Sequence, residues 1–140
     1  MKDKLEKLLK DKSINFEFVS KDKLHGTDEM NKVVSNLIFN ADGKMICVLK
    51  KMIDKVDENK LSKLVGVKEV KLATKEELAD LGFEYGEVPP VAINLDFYAD
   101  NKMADLEYCY GGSGDKPVAL KIEVKDMLRI NKAIMGDITI

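Results

Sequence analysis

The residues best placed to shape a binding site lie in one run, Gly82-Phe83-Glu84-Tyr85-Gly86-Glu87-Val88-Pro89-Pro90. Glycine reaches backbone conformations closed to other residues, while each proline removes an amide donor and fixes φ. Val88 and Pro89 each precede a proline and are pushed toward extended geometry. A loop built this way is shaped, and shaped loops are where recognition sits. The same residues also read as a helix C-cap followed by a stiff connector. A second glycine run, Gly111-Gly112-Ser113-Gly114, offers Ser113 and Lys116 as donors to a ligand, or simply turns the chain. His25, before Gly26-Thr27, reads as a solvent-exposed loop histidine, and Asp100 as the cap of a turn. No Ser-His-Asp arrangement is visible.

The composition narrows the chemistry. The 140 residues carry 23 basic and 25 acidic side chains, for a formal charge of −2. Near balance argues against a tight, sequence-independent grip on a nucleic-acid backbone, which needs a basic excess; brief contact with one RNA end stays open. Cys47 and Cys109 sit far apart in apolar stretches without CxxC pairing, so buried reduced thiols are expected rather than a disulfide. The single His25 has no Cys or second His beside it, which argues against zinc. The opening MKDKLEKLLK lacks the apolar core of a signal peptide, and no apolar run approaches membrane-spanning length. A cytoplasmic protein with no membrane partner is the expectation.

The elements that must position these residues follow from periodicity. Leu5, Leu8 and Leu9 recur at helical spacing, predicting a helix over residues 2–12. Ile14, Phe16 and Phe18 alternate as in a half-buried strand. Thr27 before Asp28 and Glu29 predicts the N-cap of a helix running toward Val34. Two apolar runs, Asn36-Leu37-Ile38-Phe39 and Met45-Ile46-Cys47-Val48-Leu49, flank Asp42-Gly43, a hairpin signal. Asp57 caps a helix through Leu61, Leu64 and Val65 that Gly66 closes. Residues 67–72 predict a short strand, and Thr74 with Glu77 a capping box for a helix to about Leu81. Further strands are expected over residues 91–98, 106–110 and 118–124, then a helical turn or two over 126–130. Met30, Met45, Met103 and Met127 read as core filler, and the lysine-rich first helix as a solvated face. With no repeat or linker, residues 1–140 form one α+β domain around a mixed, mostly antiparallel sheet flanked by helices.

This order of elements resembles the YbaK/prolyl-tRNA editing domain family, over nearly the whole chain to Ile130. The hairpin from Leu37 through Asp42-Gly43-Lys44 to Leu49 is similar to the family's central strands. The run Asp57…Leu61…Leu64-Val65-Gly66-Val67…Ala73-Thr74 is similar to its helix, glycine turn, short strand and next cap. Residues 82–90 match its G-[YF]-x-x-G-x-[VI]-x-P loop, with Pro90 as the motif proline and Pro89 where serine is common. Gly111-Gly112 match its later glycine pair. The resemblance implies hydrolysis in trans of the ester joining a wrong amino acid to tRNA. It implies a pocket for the aminoacyl group and terminal adenosine, with an aminoacyl-tRNA synthetase as a possible further partner. An activated ester asks for a positioned water, amide donors for the developing oxyanion and a fitted side chain. The resemblance calls for no metal or organic cofactor, and glycines would let backbone approach the substrate.

Where the family usually has lysine and threonine at the start of the first hairpin strand, this chain has Ser35-Asn36. A cation there would hold a phosphate or polarise the ester; serine offers a neutral hydroxyl, while Asn36 can both donate and accept. Lys32 lies one helical turn earlier, and Lys50 and Lys51 at the far end of the second strand. The catalytic candidates are thus Ser35, Asn36 and Gly112. The substrate-binding candidates are His25, Lys32, Gly82, Gly86, Pro89, Pro90, Gly111 and Ser113. Three readings stand side by side: an editing enzyme with an altered pocket, a non-catalytic homologue that binds an aminoacyl or nucleotide-like ligand, and an interaction module that keeps only the fold.

Overall fold

Strand pairing sorts the chain into two sheets. The structure, a computed structural model, describes residues 2–140. Helix α1 (Lys2–Asp11) leads into β1 (Phe16–Ser20), and two short 3-10 turns, Lys21–Lys23 and Asp28–Lys32, lead to β2 (Val34–Ala41). There follow β3 (Lys44–Lys51), α2 (Glu58–Val65), β4 (Val70–Leu72), α3 (Lys75–Asp80), β5 (Asp96–Asp100) and a 3-10 turn, Asn101–Asp105. The chain closes with β6 (Tyr108–Gly112), β7 (Val118–Glu123), α4 (Val124–Asn131) and β8 (Ile134–Gly136). One sheet is antiparallel, in the order β1-β7-β6; the other is mixed, in the order β4-β2-β3-β5-β8. The α+β expectation holds, and between the described strands of each sheet the parallel pairs are β3-β5 and β5-β8.

The core explains the layering. Leu120 and Ile122 of β7, Cys109 of β6, Cys47 and Leu49 of β3 and Phe97 of β5 share one buried cluster with Leu5 and Leu9 of α1 and Met127 of α4. The opposite face of the mixed sheet buries Phe39, Ile46, Val48 and Tyr98 against Leu61 of α2 and Ile138. Adjacent strand residues therefore serve different cores, as the two-residue period requires. Both cysteines are free and buried, as expected.

Local chemistry sets the ends of elements. Asp57 accepts from the Asn59 and Lys60 amides, and Gly66 closes α2 with φ 85°. Thr74 and Glu77 form the predicted capping box. Other boundaries move. Thr27 caps only a 3-10 turn, because the extended backbone of Val33 hands the chain to β2. The strand expected over 91–98 starts at Asp96, after Ala92 takes φ 70°. The short strand expected over 67–72 is reduced to Val70–Leu72, and β8 carried too few residues to signal itself.

Candidate functional site

Among the described residues, one isolated bridge joins the edges of the two sheets. Val33 forms a parallel bridge with Tyr110, and beyond it β2 pairs with β4 only from Phe39. The Met52 amide donates to Val33 O at 2.9 Å and the Ala73 amide to Ile38 O at 2.8 Å. In an antiparallel ladder the two edges alternate, so odd-numbered residues of β2 bond to β3 and even-numbered ones face outward. Among the described residues, no strand pairs with the outward N–H and C=O of Asn36.

A cavity of about 420 Å³ wraps around this open edge. Consecutive residues Val34 to Ile38 line it on one side and Gly111, Gly112 and Ala119 on another. Leu24 and Met30, Ala73 and Leu78, and Val88 complete a mainly apolar wall. The polar side chains on the wall are Lys21, His25, Ser35, Asn36, Tyr85 and Tyr110.

The loop at residues 82–90 is a fixed wall. Gly82 ends α3 with φ 86°, while the Phe83 amide returns to Leu78 O at 2.9 Å. Gly86 takes φ 84° beside the cavity. Neither proline carbonyl is idle: Asn36 Nδ2 donates to Pro89 O at 2.8 Å, and Asn131 Nδ2 to Pro90 O at 2.7 Å. Lys21 Nζ donates to Glu87 Oε1 at 2.8 Å. A Cβ on Gly111 would stand 2.7 Å from Pro90 Cγ, and one on Gly112 would stand 3.0 Å from Val88 O. The glycine pair thus admits the proline loop itself.

The candidates separate by position. Ser35, Asn36, Gly112, His25, Gly86 and Gly111 line the cavity. Gly82 acts as a helix terminator, and buried Pro89 and Pro90 brace the loop from behind. Ser113 is fully buried, accepting from the Asp115 amide at 3.1 Å and donating to Val118 O at 2.7 Å, which turns the chain. Lys32 points elsewhere: its Nζ donates to Glu29 Oε2 at 2.7 Å and Tyr108 Oη at 3.0 Å. Sequence reasoning did not single out Lys21, Tyr85 or Tyr110. Tyr85 lay within the motif loop, but nothing in the sequence set its exposure apart.

Electrostatics leave the site neutral in character. Burial pushes the Cys47 and Cys109 thiols up to about 12, so neither is a thiolate nucleophile near neutral pH. Asn36 is 8% exposed, and its Oδ1 is buried without a hydrogen-bond partner. Glu29 is held below its usual range by hydrogen bonds from Lys32 and Tyr108. Tyr110, on the cavity wall, is raised to about 12, first by burial and then by the Glu29 charge. Lys50, paired across the strands with Ser35, is lowered by burial and donates to the carbonyls of Lys51 and Met52. Among the described residues, no cluster of His, Cys, Asp and Glu is arranged to hold a metal, and no helix is long and apolar enough to cross a membrane.

Known proteins share this fold. The chain is 36% identical over 88 residues to proline–tRNA ligase from Sulfurihydrogenibium sp. (strain YO3AOP1), a match covering 62% of this chain and 16% of the ligase. The corresponding ligase of Desulfotalea psychrophila is 33% identical over 91 residues, again 16% of its length. The chain therefore spans 16% of these relatives. Among solved structures, a hypothetical protein superposes with TM-score 0.88 at 24% identity, covering 98% of this chain and 99% of that one. A candidate trans-editing enzyme for prolyl tRNA synthetase superposes with TM-score 0.78 at 23% identity, covering 89% of this chain and 87% of that one. At those identities the likeness establishes the fold. The aminoacyl-tRNA editing domain matches residues 22–130, and the chain belongs to that family.

Proposed function

We propose that this chain is an aminoacyl-tRNA deacylase acting in trans, which hydrolyses the ester of a mischarged tRNA. The observation that carries this reading is the open edge of β2 at Asn36, set in the wall of a mainly apolar cavity. Water adds to the ester carbonyl carbon, and the negative charge that develops on the carbonyl oxygen needs donors already in place. The outward Asn36 amide is such a donor. The carbon–oxygen bond to the ribose then breaks, the ribose oxygen takes a proton, and a free amino acid and a tRNA with its terminal hydroxyl are released. The apolar wall suits an uncharged side chain. Ser35, Asn36 and Gly112 are assigned to the reacting end; His25, Gly86 and Gly111 to the surrounding wall. The partner is the aminoacylated end of tRNA, held transiently, a mode that suits a near-neutral charge of −2. An aminoacyl-tRNA synthetase is a further partner, supported by the kinship with proline–tRNA ligases.

One observation favours a second reading, a homologue that binds an aminoacyl end without cleaving it. The lysine on the cavity wall, Lys21, is committed to Glu87, and Ser35 is neutral. A panel of mischarged tRNAs, assayed with the wild type and Ser35→Lys, separates the two. Wild-type turnover, lost when Gly112 is replaced by a bulky residue, supports the enzyme. Turnover only in Ser35→Lys supports the binding protein, and no turnover or binding by either sinks both.

A further inference from the structure

We infer that Tyr85 is the stacking platform for the nucleobase at the end of the substrate, an assignment that rests on the deacylase reading of the cavity. Any aminoacyl-tRNA carries its ester on a ribose, and that ribose carries a base. With the ester carbonyl at β2, the base must lie where the cavity opens to solvent.

Among the phenylalanine and tyrosine rings, elimination leaves one to receive it. Phe39, Phe97, Tyr98 and Tyr110 are buried. Phe16 and Phe18 meet edge to face, with Lys2 over the Phe18 ring. Tyr108 has Lys32 and Lys121 over its ring at 4.7 and 4.3 Å, and Phe83 packs against the main core. Tyr85 is 68% exposed and lines the cavity. An exposed aromatic ring beside an apolar pocket is the arrangement with which proteins hold unpaired bases, because every base has a π-face.

The backbone beneath the ring is set in advance. Gly82 and Gly86 hold left-handed φ on either side of it. Lys21 fixes Glu87, and Asn36 fixes Pro89. A platform already ordered loses little entropy when a base settles on it. His25, also on the cavity wall, adds a polar group for the ribose side.

The test uses the trinucleotide CCA and the same oligonucleotide with an abasic terminal ribose, titrated into the whole protein and followed by NMR. Wild type should bind CCA, and removal of the terminal base should weaken binding about tenfold. Tyr85→Ala should weaken CCA binding by a similar factor, while Tyr85→Phe should retain it. Circular dichroism checks that each variant is folded. Equal binding of CCA by wild type and Tyr85→Ala, equal binding of the abasic probe by wild type, or no binding of CCA by wild type overturns the assignment. The deacylase reading fails separately: base-dependent binding through Tyr85 without hydrolysis of any mischarged tRNA would leave the platform standing and remove the enzyme.

Discussion

A methyl group on Gly111 would press against Pro90 Cγ at 2.7 Å, and the proline carbonyl just beyond is held by Asn131. The ring has nowhere to retreat without disturbing that bond. Gly111→Ala should therefore destabilise the fold by about 1–3 kcal/mol, the usual cost of overpacking a close contact. Urea unfolding measures it; an unchanged midpoint would show that the loop shifts freely. The substitution should also raise KM for any aminoacyl substrate, because Val88 and Gly86 move with the loop. The residue types of this contact were visible in the sequence as two glycines and two prolines, but their meeting was not. Asn131 carried no local signal at all, since its role depends on α4 ending beside a loop forty residues earlier.

At the scale of elements, the wall from Leu24 to Val33 is pinned to β6 by Glu29. Its Oε1 accepts from Tyr108 Oη at 2.8 Å and Tyr110 Oη at 3.2 Å, while its Oε2 accepts from Lys32. The Glu29 pKa lies below its ordinary value. A lowered acid contributes stability that is present above its unfolded value and is lost as pH falls through the folded one. Acidification through the lowered Glu29 pKa, beneath the ordinary carboxylate range, should therefore free this wall, seen as faster amide exchange across the 3-10 turn Asp28–Lys32. In Glu29→Gln the exchange should already be faster at neutral pH and should not change with acid in that window. An unchanged acid response in the variant would assign the effect to another carboxylate. The capped helices and the Asp42-Gly43 hairpin were legible beforehand because each is coded by neighbours in sequence. The 3-10 turn was not, because the bridge between Val33 and Tyr110 ends it from a distance.

At the scale of the whole molecule, Cys47 and Cys109 lie in one cluster that joins both sheets, α1 and α4. Burial raises both thiols to about 12. Neither should react with iodoacetamide at pH 8 in the folded protein, and both should react together once it unfolds. Labelling followed by mass spectrometry reads this directly; one thiol reacting well before the other would show that the sheets separate independently. The α+β class and the site's main loops could be read from the chain. The pairing of strands into two sheets could not, because no local pattern states which edge stays unpaired.

That unpaired edge has a consequence for solubility. A strand whose amides and carbonyls lack partners is a template on which a foreign strand can grow. Here Asn36 itself binds Pro89 O through its side chain, and neither Pro89 nor Pro90 has an N–H to offer the ladder. An edge bordered by residues that lack the donor is a poorer template for a foreign strand.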